Sequence, residues 1–139
     1  MLLIKPTNKT PLVRLDLDRG RLDIKGLSSP DHSISFYKPV MDNLTNCSST
    51  PKHLVVNMCF SMFNTSSAKC IYEILKKVKT FEKSGTKIRV NWYYEEYDED
   101  MLECGEDFSD LLNLPFCMRT TEELKVIAAQ SRLKTRALS

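Results

Sequence analysis

The chain has 139 residues, of which 42% are apolar, and a net charge of +2 at pH 7. This length suits one compact domain that buries a core without disulfides or metal, and the composition is typical of a globular protein. The small, dispersed charge argues against a nucleic-acid-binding protein. The first apolar run, Met1–Ile4, ends at Lys5-Pro6. It is too short for a signal peptide or a spanning helix, so we expect no membrane attachment.

The cysteines form no C-x-x-C pair and their number is odd. Only His32 and His53 could join them on a metal, and the spacing of a structural zinc site is missing. The pattern is typical of reduced thiols in a cytoplasmic protein. We therefore expect a cytoplasmic location, no bound metal and no other cofactor. The cysteines are Cys47, Cys59, Cys70, Cys104 and Cys117.

Two short segments near the N-terminus, residues 13–17 and 21–25, alternate between apolar and charged residues. A period of two is typical of half-buried strands. Asp18-Arg19-Gly20 lies between them, and Gly20 can adopt the positive φ of a tight turn. The sequence predicts an antiparallel hairpin here.

A helix containing a proline is predicted next. After a loop at residues 28–31, apolar residues from Phe36 to Leu44 recur at helical spacing. Pro39 lacks the N–H that a helix interior requires, so it is best tolerated in the first turn. We therefore predict that this helix begins near Ser35.

The middle of the chain predicts a buried strand followed by a strong helix. Residues 54–63 are an almost unbroken apolar run, which favours a central strand buried on both faces. Residues 64–67, Asn-Thr-Ser-Ser, are good helix N-caps. Apolar residues at positions 68, 71, 72, 75 and 78 then mark one helix face, and the helix is expected to end near Ser84-Gly85.

The C-terminal part predicts two more strands and two more helices. Alternation over residues 88–94 indicates a strand with Trp92 and Tyr94 facing the core and Tyr93 exposed. The acidic stretch 95–110 predicts a helix whose carboxylates form a solvated face rather than a metal or docking site. Residues 115–118 suit an edge strand and residues 121–129 a helix, and the basic end, 131–139, is expected to fray.

The predicted element order is ββαβαβαβ with a terminal helix. Strands that alternate with helices imply parallel strands joined by right-handed crossovers. The sequence therefore predicts a single α/β domain over residues 1–120, with a mixed sheet of about five strands and helices mainly on one face. A C-terminal helix and a basic tail follow over residues 121–139.

The junction at Thr65 is the most informative candidate site. The first N–H groups of a helix lack internal partners and carry partial positive charge, so a phosphate on Thr65 would be favourably placed. Lys69 lies about one turn further on. Helix capping alone also explains these hydroxyl residues and, on spacing alone, is the commoner reason for them.

An enzyme is not expected. His53 precedes the central strand and Thr65 follows it, so a strand of about ten residues separates them by roughly 30 Å. The two residues cannot form a nucleophile–base pair. The chain also has no glycine-rich phosphate loop.

Three segments carry a family resemblance: Phe-Tyr-Lys-Pro at 36–39, Phe-Asn-Thr-Ser-Ser-Ala-Lys at 63–69 and Val-Asn-Trp-Tyr-Tyr at 90–94. They resemble the SiaC family of bacterial regulatory phosphoproteins, and N-T-S-S-x-K at a strand-to-helix junction is the most specific part. The likeness extends from the first hairpin to Pro115-Phe116. It implies a STAS-like fold of the anti-sigma-factor-antagonist type.

The resemblance implies that Thr65 is the phospho-acceptor, surrounded by a docking surface. It further implies a Ser/Thr protein kinase, a PP2C-type phosphatase and a diguanylate cyclase that the unphosphorylated protein binds and activates, linking the switch to cyclic-di-GMP and biofilm formation. The alternative is an anti-sigma-factor antagonist with the same switch that binds an anti-sigma factor. Ala68 replaces a larger aliphatic residue, and the tail after Arg119 lies outside the likeness. The surrounding residues are Phe63, Asn64, Ser66, Ser67 and Lys69.

Overall fold

A computed structural model describes the backbone of residues 1–138 and their side chains except at 127, 131 and 133–138. The strands of this part are β1 (Leu2–Ile4), β2 (Leu12–Asp16), β3 (Arg21–Ser28), β4 (His53–Phe63), β5 (Lys87–Tyr94) and β6 (Phe116–Thr120). The helices are α1 (Ser33–Thr45), α2 (Thr65–Thr80), α3 (Glu99–Leu112) and α4 (Thr121–Leu138), and a 3₁₀ turn (Phe81–Ser84) follows α2.

The strands form one mixed sheet in which spatial order equals chain order, β1-β2-β3-β4-β5-β6. Strands β1, β2 and β3 pair antiparallel, and β3 to β6 pair parallel. The predicted hairpin, mixed sheet and edge strand are confirmed. The additional strand is β1, whose three residues are too few to show an alternating pattern.

Helices α1, α2 and α3 bury their apolar sides against one face of the sheet. Trp92, fully buried on β5, is the largest side chain of this core. Its indole N–H donates to the Met101 carbonyl at 2.9 Å. Gly105 lets α3 come this close, because a Cβ there would lie 2.5 Å from the indole ring. The core also contains Leu22, Ile24, Val40, Leu44, Val56, Met58, Ile71, Leu75 and Val78.

The opposite side of the sheet, turned away from α1, α2 and α3, is here called the open face. The predicted burial of β4 on both faces was wrong, because Leu54 and Val56 are buried on the helix side while Val55 and Asn57 are only half-buried on the open face. Tyr93 also lies on the open face. It is only 7% exposed, so its predicted exposure was wrong. Side chains on adjacent strands flank Tyr93.

Helix α1 begins at Ser33, two residues before the predicted start. Pro39 therefore lies in the second turn, and its expected place in the first turn was wrong. The proline leaves the Ser35 carbonyl without its helical donor. Both Ser35 and Pro39 are exposed, so that carbonyl faces water and the break is tolerated.

Helix α4 continues to Leu138, past the predicted end at residue 129. The expectation of a frayed tail was therefore wrong up to Leu138, and Ser139 lies outside the described residues. Residues 121–138 contain neither glycine nor proline and include many strong helix formers. No helix in the described part of the chain combines the length and apolar character needed to cross a membrane.

Candidate functional site

The carboxyl ends of β3 and β4 meet at one edge of the sheet. The strands are parallel, with Ser28 paired to Phe63 at their ends. The Asn64 N–H then donates to the Ser28 carbonyl at 3.0 Å. Each strand is followed by a helix, so this pairing brings the N-termini of α1 and α2 side by side.

Asn64 is the N-cap of α2. Its backbone is extended (φ −81°, ψ 172°), and its side-chain oxygen accepts a hydrogen bond from the Ser67 N–H at 2.9 Å. This is the usual N-cap geometry. The predicted capping by this segment is confirmed, and the cap is Asn64. Thr65 is the first helical residue, so its hydroxyl is not needed for capping.

The three consecutive hydroxyls of α2 have different surroundings. The Ser67 hydroxyl is buried and accepts from the Ser28 hydroxyl at 2.9 Å. Ser66 forms a hydrogen bond of 2.7 Å with the Ser33 hydroxyl and donates to the Asn64 side chain at 3.2 Å. Thr65 is exposed, and its hydroxyl makes no hydrogen bond within the described residues. Only Thr65 therefore offers an accessible and unengaged oxygen.

A buried network of hydroxyls lies beneath Thr65, and sequence reasoning missed Ser28, Ser33 and Tyr37 as its members. The Ser28 hydroxyl bonds to the Tyr37 hydroxyl at 2.6 Å, in addition to Ser67. Burial raises the pKa of Tyr37 to about 12, against the opposing effect of its hydrogen bond with Ser28. The signal that could have found Ser28 is its position at the end of β3, next to the end of β4. This network joins both helix starts to the sheet.

A groove of about 620 Å³ runs between α1 and α2 and begins at this site. Ser66 and Lys69 line its polar end, and Ile34, Met41 and Ile74 supply apolar walls. Ile34 is 80% exposed, which is unusual for an isoleucine. Lys69 is exposed and forms no salt bridge within the described part of the chain.

The Cys70 thiol also lines the groove. Burial, and secondarily the nearby Glu73 carboxylate, raise its pKa. The thiol therefore stays protonated at neutral pH and contributes as a small apolar group rather than as a nucleophile.

Phe63, which is half-buried, holds the end of β4 in place by packing against the core. Its ring lies 5.3 Å from Phe60, 6.3 Å from Trp92 and 6.4 Å from Phe108, measured between ring centroids. This aromatic contact fixes the last residue before the Asn64 cap. Phe63 thus supports the geometry of the junction from below.

The two histidines lie in different places. His53 is the first residue of β4, at the far end of the strand from Thr65, as predicted. His32, whose position could not be assigned from the sequence, is the N-cap residue of α1. Its side chain makes no capping hydrogen bond.

An accessible hydroxyl at a helix start, beside an apolar groove, suits a binding domain regulated by modification. The family model described as "SiaC family regulatory phosphoprotein" matches residues 4–121. The chain therefore belongs to the SiaC family of regulatory phosphoproteins.

Solved structures from Pseudomonas aeruginosa are similar to this chain. One is the crystal structure of the diguanylate cyclase SiaD in complex with its activator SiaC, with TM-score 0.79, 26% identity, and coverage of 86% of this chain and 99% of that one. Another is SiaC, with TM-score 0.76, 26% identity, and coverage of 86% and 97%. An uncharacterized protein of strain UCBPP-PA14 is 27% identical over 121 residues, which cover 86% of this chain and 96% of that protein.

Proposed function

We propose that this chain is a phosphorylation-switched bacterial regulatory protein, with Thr65 as the phospho-acceptor. A Ser/Thr protein kinase adds the phosphate and a PP2C-type phosphatase removes it. The unphosphorylated form binds and activates a diguanylate cyclase in the cytoplasm and performs no catalysis itself. Family membership supports a regulatory phosphoprotein. The observation that carries the site is the exposure of the unengaged Thr65 hydroxyl.

The choice of Thr65 over its neighbours follows from their hydrogen bonds. Phosphorylation of Ser67 would place a charged group in the core, where burial is costly. Phosphorylation of Ser66 would break its hydrogen bond to Ser33, which joins the two helix starts. A phosphate on Thr65 disturbs neither contact.

The phosphate would meet favourable charges at Thr65. It would sit at the first turn of α2, where the helix dipole contributes partial positive charge. It would also lie near the uncompensated Lys69 ammonium, one turn further along the helix. The modification therefore leaves the fold intact and changes the charge at the end of the α1–α2 groove by about −1.5 to −2.

The α1–α2 groove is the surface on which we place the cyclase. Ser66 and Lys69 belong both to the groove lining and to the surroundings of Thr65. A partner seated on Ile34 and Met41 would therefore cover or touch Thr65, so that a bulky anion there would weaken its binding. The relative SiaC is described as the activator of the diguanylate cyclase SiaD, which supports a diguanylate cyclase as the partner class.

The test is phosphosite mapping of the protein from its host, combined with binding of the candidate cyclase. We expect phosphate on Thr65 in the wild type, none in Thr65→Ala, and retention in the matched control Ser66→Ala. Thr65→Ala should remain folded, because Asn64 provides the cap, and should bind the cyclase regardless of kinase. Thr65→Glu should bind more weakly, although one carboxylate imitates phosphate imperfectly.

Other results would overturn parts of this proposal. Full phosphorylation of Thr65→Ala would show that the acceptor is wrong. Capture of an anti-sigma factor instead of a cyclase, with Thr65 still modified, would keep the switch and replace the output by the anti-sigma-factor-antagonist alternative.

A further inference from the structure

The open face of the sheet is more basic than the chain as a whole. By the alternation of the strands, their cationic side chains on this face outnumber their carboxylates, Asp16 and Asp23, and α4 adds Glu123, which pairs with Arg119. The overall charge is only +2, so the excess of positive charge is local. The cationic side chains are Arg14, Arg21, Lys25, Lys87, Arg89 and Arg119.

A polar ladder crosses this face from β3 to β6. Asp23 accepts hydrogen bonds from Arg21 at 2.5 Å and from Asn57 at 2.9 Å. Asn91 donates to Asn57 at 2.8 Å, and Arg119 donates to Asn91 at 3.2 Å. The ladder therefore already engages the Asp23 carboxylate.

The cations outside the ladder are left without counter-charges. Arg14, Lys25 and Arg89 have no carboxylate within 4.0 Å in the described part of the chain. Lys25 and Arg89 are exposed and Arg14 is half-buried. Such side chains attract an acidic surface of a binding partner and raise the rate at which the two surfaces associate.

A cavity of about 220 Å³ lies beside the ladder. Leu12, Tyr93 and Leu124 supply apolar surface, and the charged lining residues are Arg14, Arg21, Lys25 and Asp23. Three cations face one carboxylate, which the ladder already engages. The lining therefore combines apolar surface with net positive charge, which suits an apolar side chain flanked by carboxylates.

Helix α3 presents a surface of that complementary kind. Leu111 is 72% exposed and shares a shallow depression with Asp107 and Asp110. The α3 carboxylates form no salt bridge among the described residues. Because α3 packs on the helix-covered face, this surface and the cavity lie on opposite sides of one sheet. They cannot meet within one molecule.

We propose that the open-face cavity binds a second copy of this chain, seating its Leu111. Asp107 and Asp110 of that copy then lie beside Arg14 and Lys25. The two surfaces differ, so the contact is heterologous and each copy retains one free surface of each kind. Neither surface includes Thr65, so this association and the proposed phosphorylation switch are independent.

The first test is sedimentation velocity of the full chain over a wide concentration range at low salt. We expect an apparent mass that rises above the 16.0 kDa of the single chain and falls when salt shortens the screening length. Leu111→Ser should weaken association at least about tenfold, as expected for a central apolar anchor. A wild type that stays monomeric throughout overturns the proposal.

A charge-swap pair tests the specific surfaces. One variant carries Arg14→Glu and Lys25→Glu, and the other carries Asp107→Lys and Asp110→Lys. Each alone should be monomeric, whereas an equal mixture should associate because opposite charges then face each other.

Lys38→Glu is the control, since Lys38 is exposed on α1 and lines the α1–α2 groove rather than either surface. It should associate like the wild type. Circular dichroism verifies that each variant is folded. The proposed pair of surfaces is wrong if the mixture stays monomeric. It is also wrong if each double variant alone associates as strongly as the wild type.

Discussion

The two faces of the sheet are built from the same strands but are held by different forces. The helix-covered face is apolar and packs around Trp92, whereas the open face carries the hydrogen-bonded ladder through Asp23, Asn57 and Asn91. Apolar contacts are strong but non-directional. The ladder is weaker but directional, since each side chain must face its neighbour on the next strand. The comparison indicates that the helix-covered face supplies most of the stability. The open face fixes the register between neighbouring strands and leaves polar groups available for contact.

The largest effect that distinguishes the faces is expected from neighbouring residues of β5. Trp92→Ala should lower the free energy of unfolding by about 3–5 kcal/mol, because it empties the centre of the core. Tyr93→Phe, one residue along and on the open face, should change it by less than about 0.5 kcal/mol, because its hydroxyl has no hydrogen-bond partner in the described part of the chain. Urea unfolding measures both. Equal losses would contradict the division of roles.

A second effect concerns Tyr37, on the helix-covered side. Its pKa is raised to about 12 in the folded protein, from the ordinary 10.0 of a tyrosine in water, chiefly by burial. The stability that comes from burying the neutral Tyr37 hydroxyl is fully present below pH 10. It is lost as the pH rises toward 12, because in that range Tyr37 ionises only in the unfolded state. The loss should reach roughly 2–3 kcal/mol.

Unfolding free energies at about pH 9, 10 and 11 measure this slope. Tyr37→Phe is the matched control and should lack this part of the alkaline decline. It should also be less stable at neutral pH, because the hydrogen bond to Ser28 is gone. An unchanged slope in Tyr37→Phe would show that another group titrates.

The smallest effect is expected from the ladder. Asn57→Ala removes the donor to Asp23 and the acceptor of Asn91, and should cost about 1–2 kcal/mol. In a double-mutant cycle, Asn57→Ala and Asn91→Ala should be non-additive, because they share one hydrogen bond. Strict additivity would show that the ladder does not act as a unit.

The fold could be predicted from the sequence wherever apolar periodicity was strong. The hairpin, α2 and β5 follow from periods of two or 3.6, β4 follows from an almost unbroken apolar run, and packing of three helices over one face follows from their order. Strand β1 was not predicted, because its three residues are too few to show an alternating pattern. The exposure of Tyr93 was mispredicted because alternation assigns a side chain to a face, whereas its burial depends on neighbouring strands and on α4.

The candidate site was predictable only in part. Helix capping by residues 64–67 follows from the local sequence, whereas Thr65 as phospho-acceptor is implied by the family resemblance. The hydrogen bonds of Ser66 and Ser67 to Ser33 and Ser28 span more than thirty residues along the chain, and no local pattern encodes them. These hydrogen bonds arise because the parallel strands β3 and β4 end side by side. The pairing of these two strands therefore decides that Ser66 and Ser67 are hydrogen-bonded while the Thr65 hydroxyl stays free.

The identity of spatial and chain order in the sheet has a consequence for folding. Each strand pairs with its immediate predecessor, so no pairing has to skip a strand that is made later. The strands can therefore add one by one as the chain leaves the ribosome, although each parallel pair must wait for the helix that connects its two strands. The network of Ser28, Ser33, Tyr37 and Ser67 lies entirely in the first half of the chain. The hydrogen bonds beneath Thr65 therefore need no residue of β5 or β6, whereas the packing of Phe63 is completed only by Trp92 and Phe108.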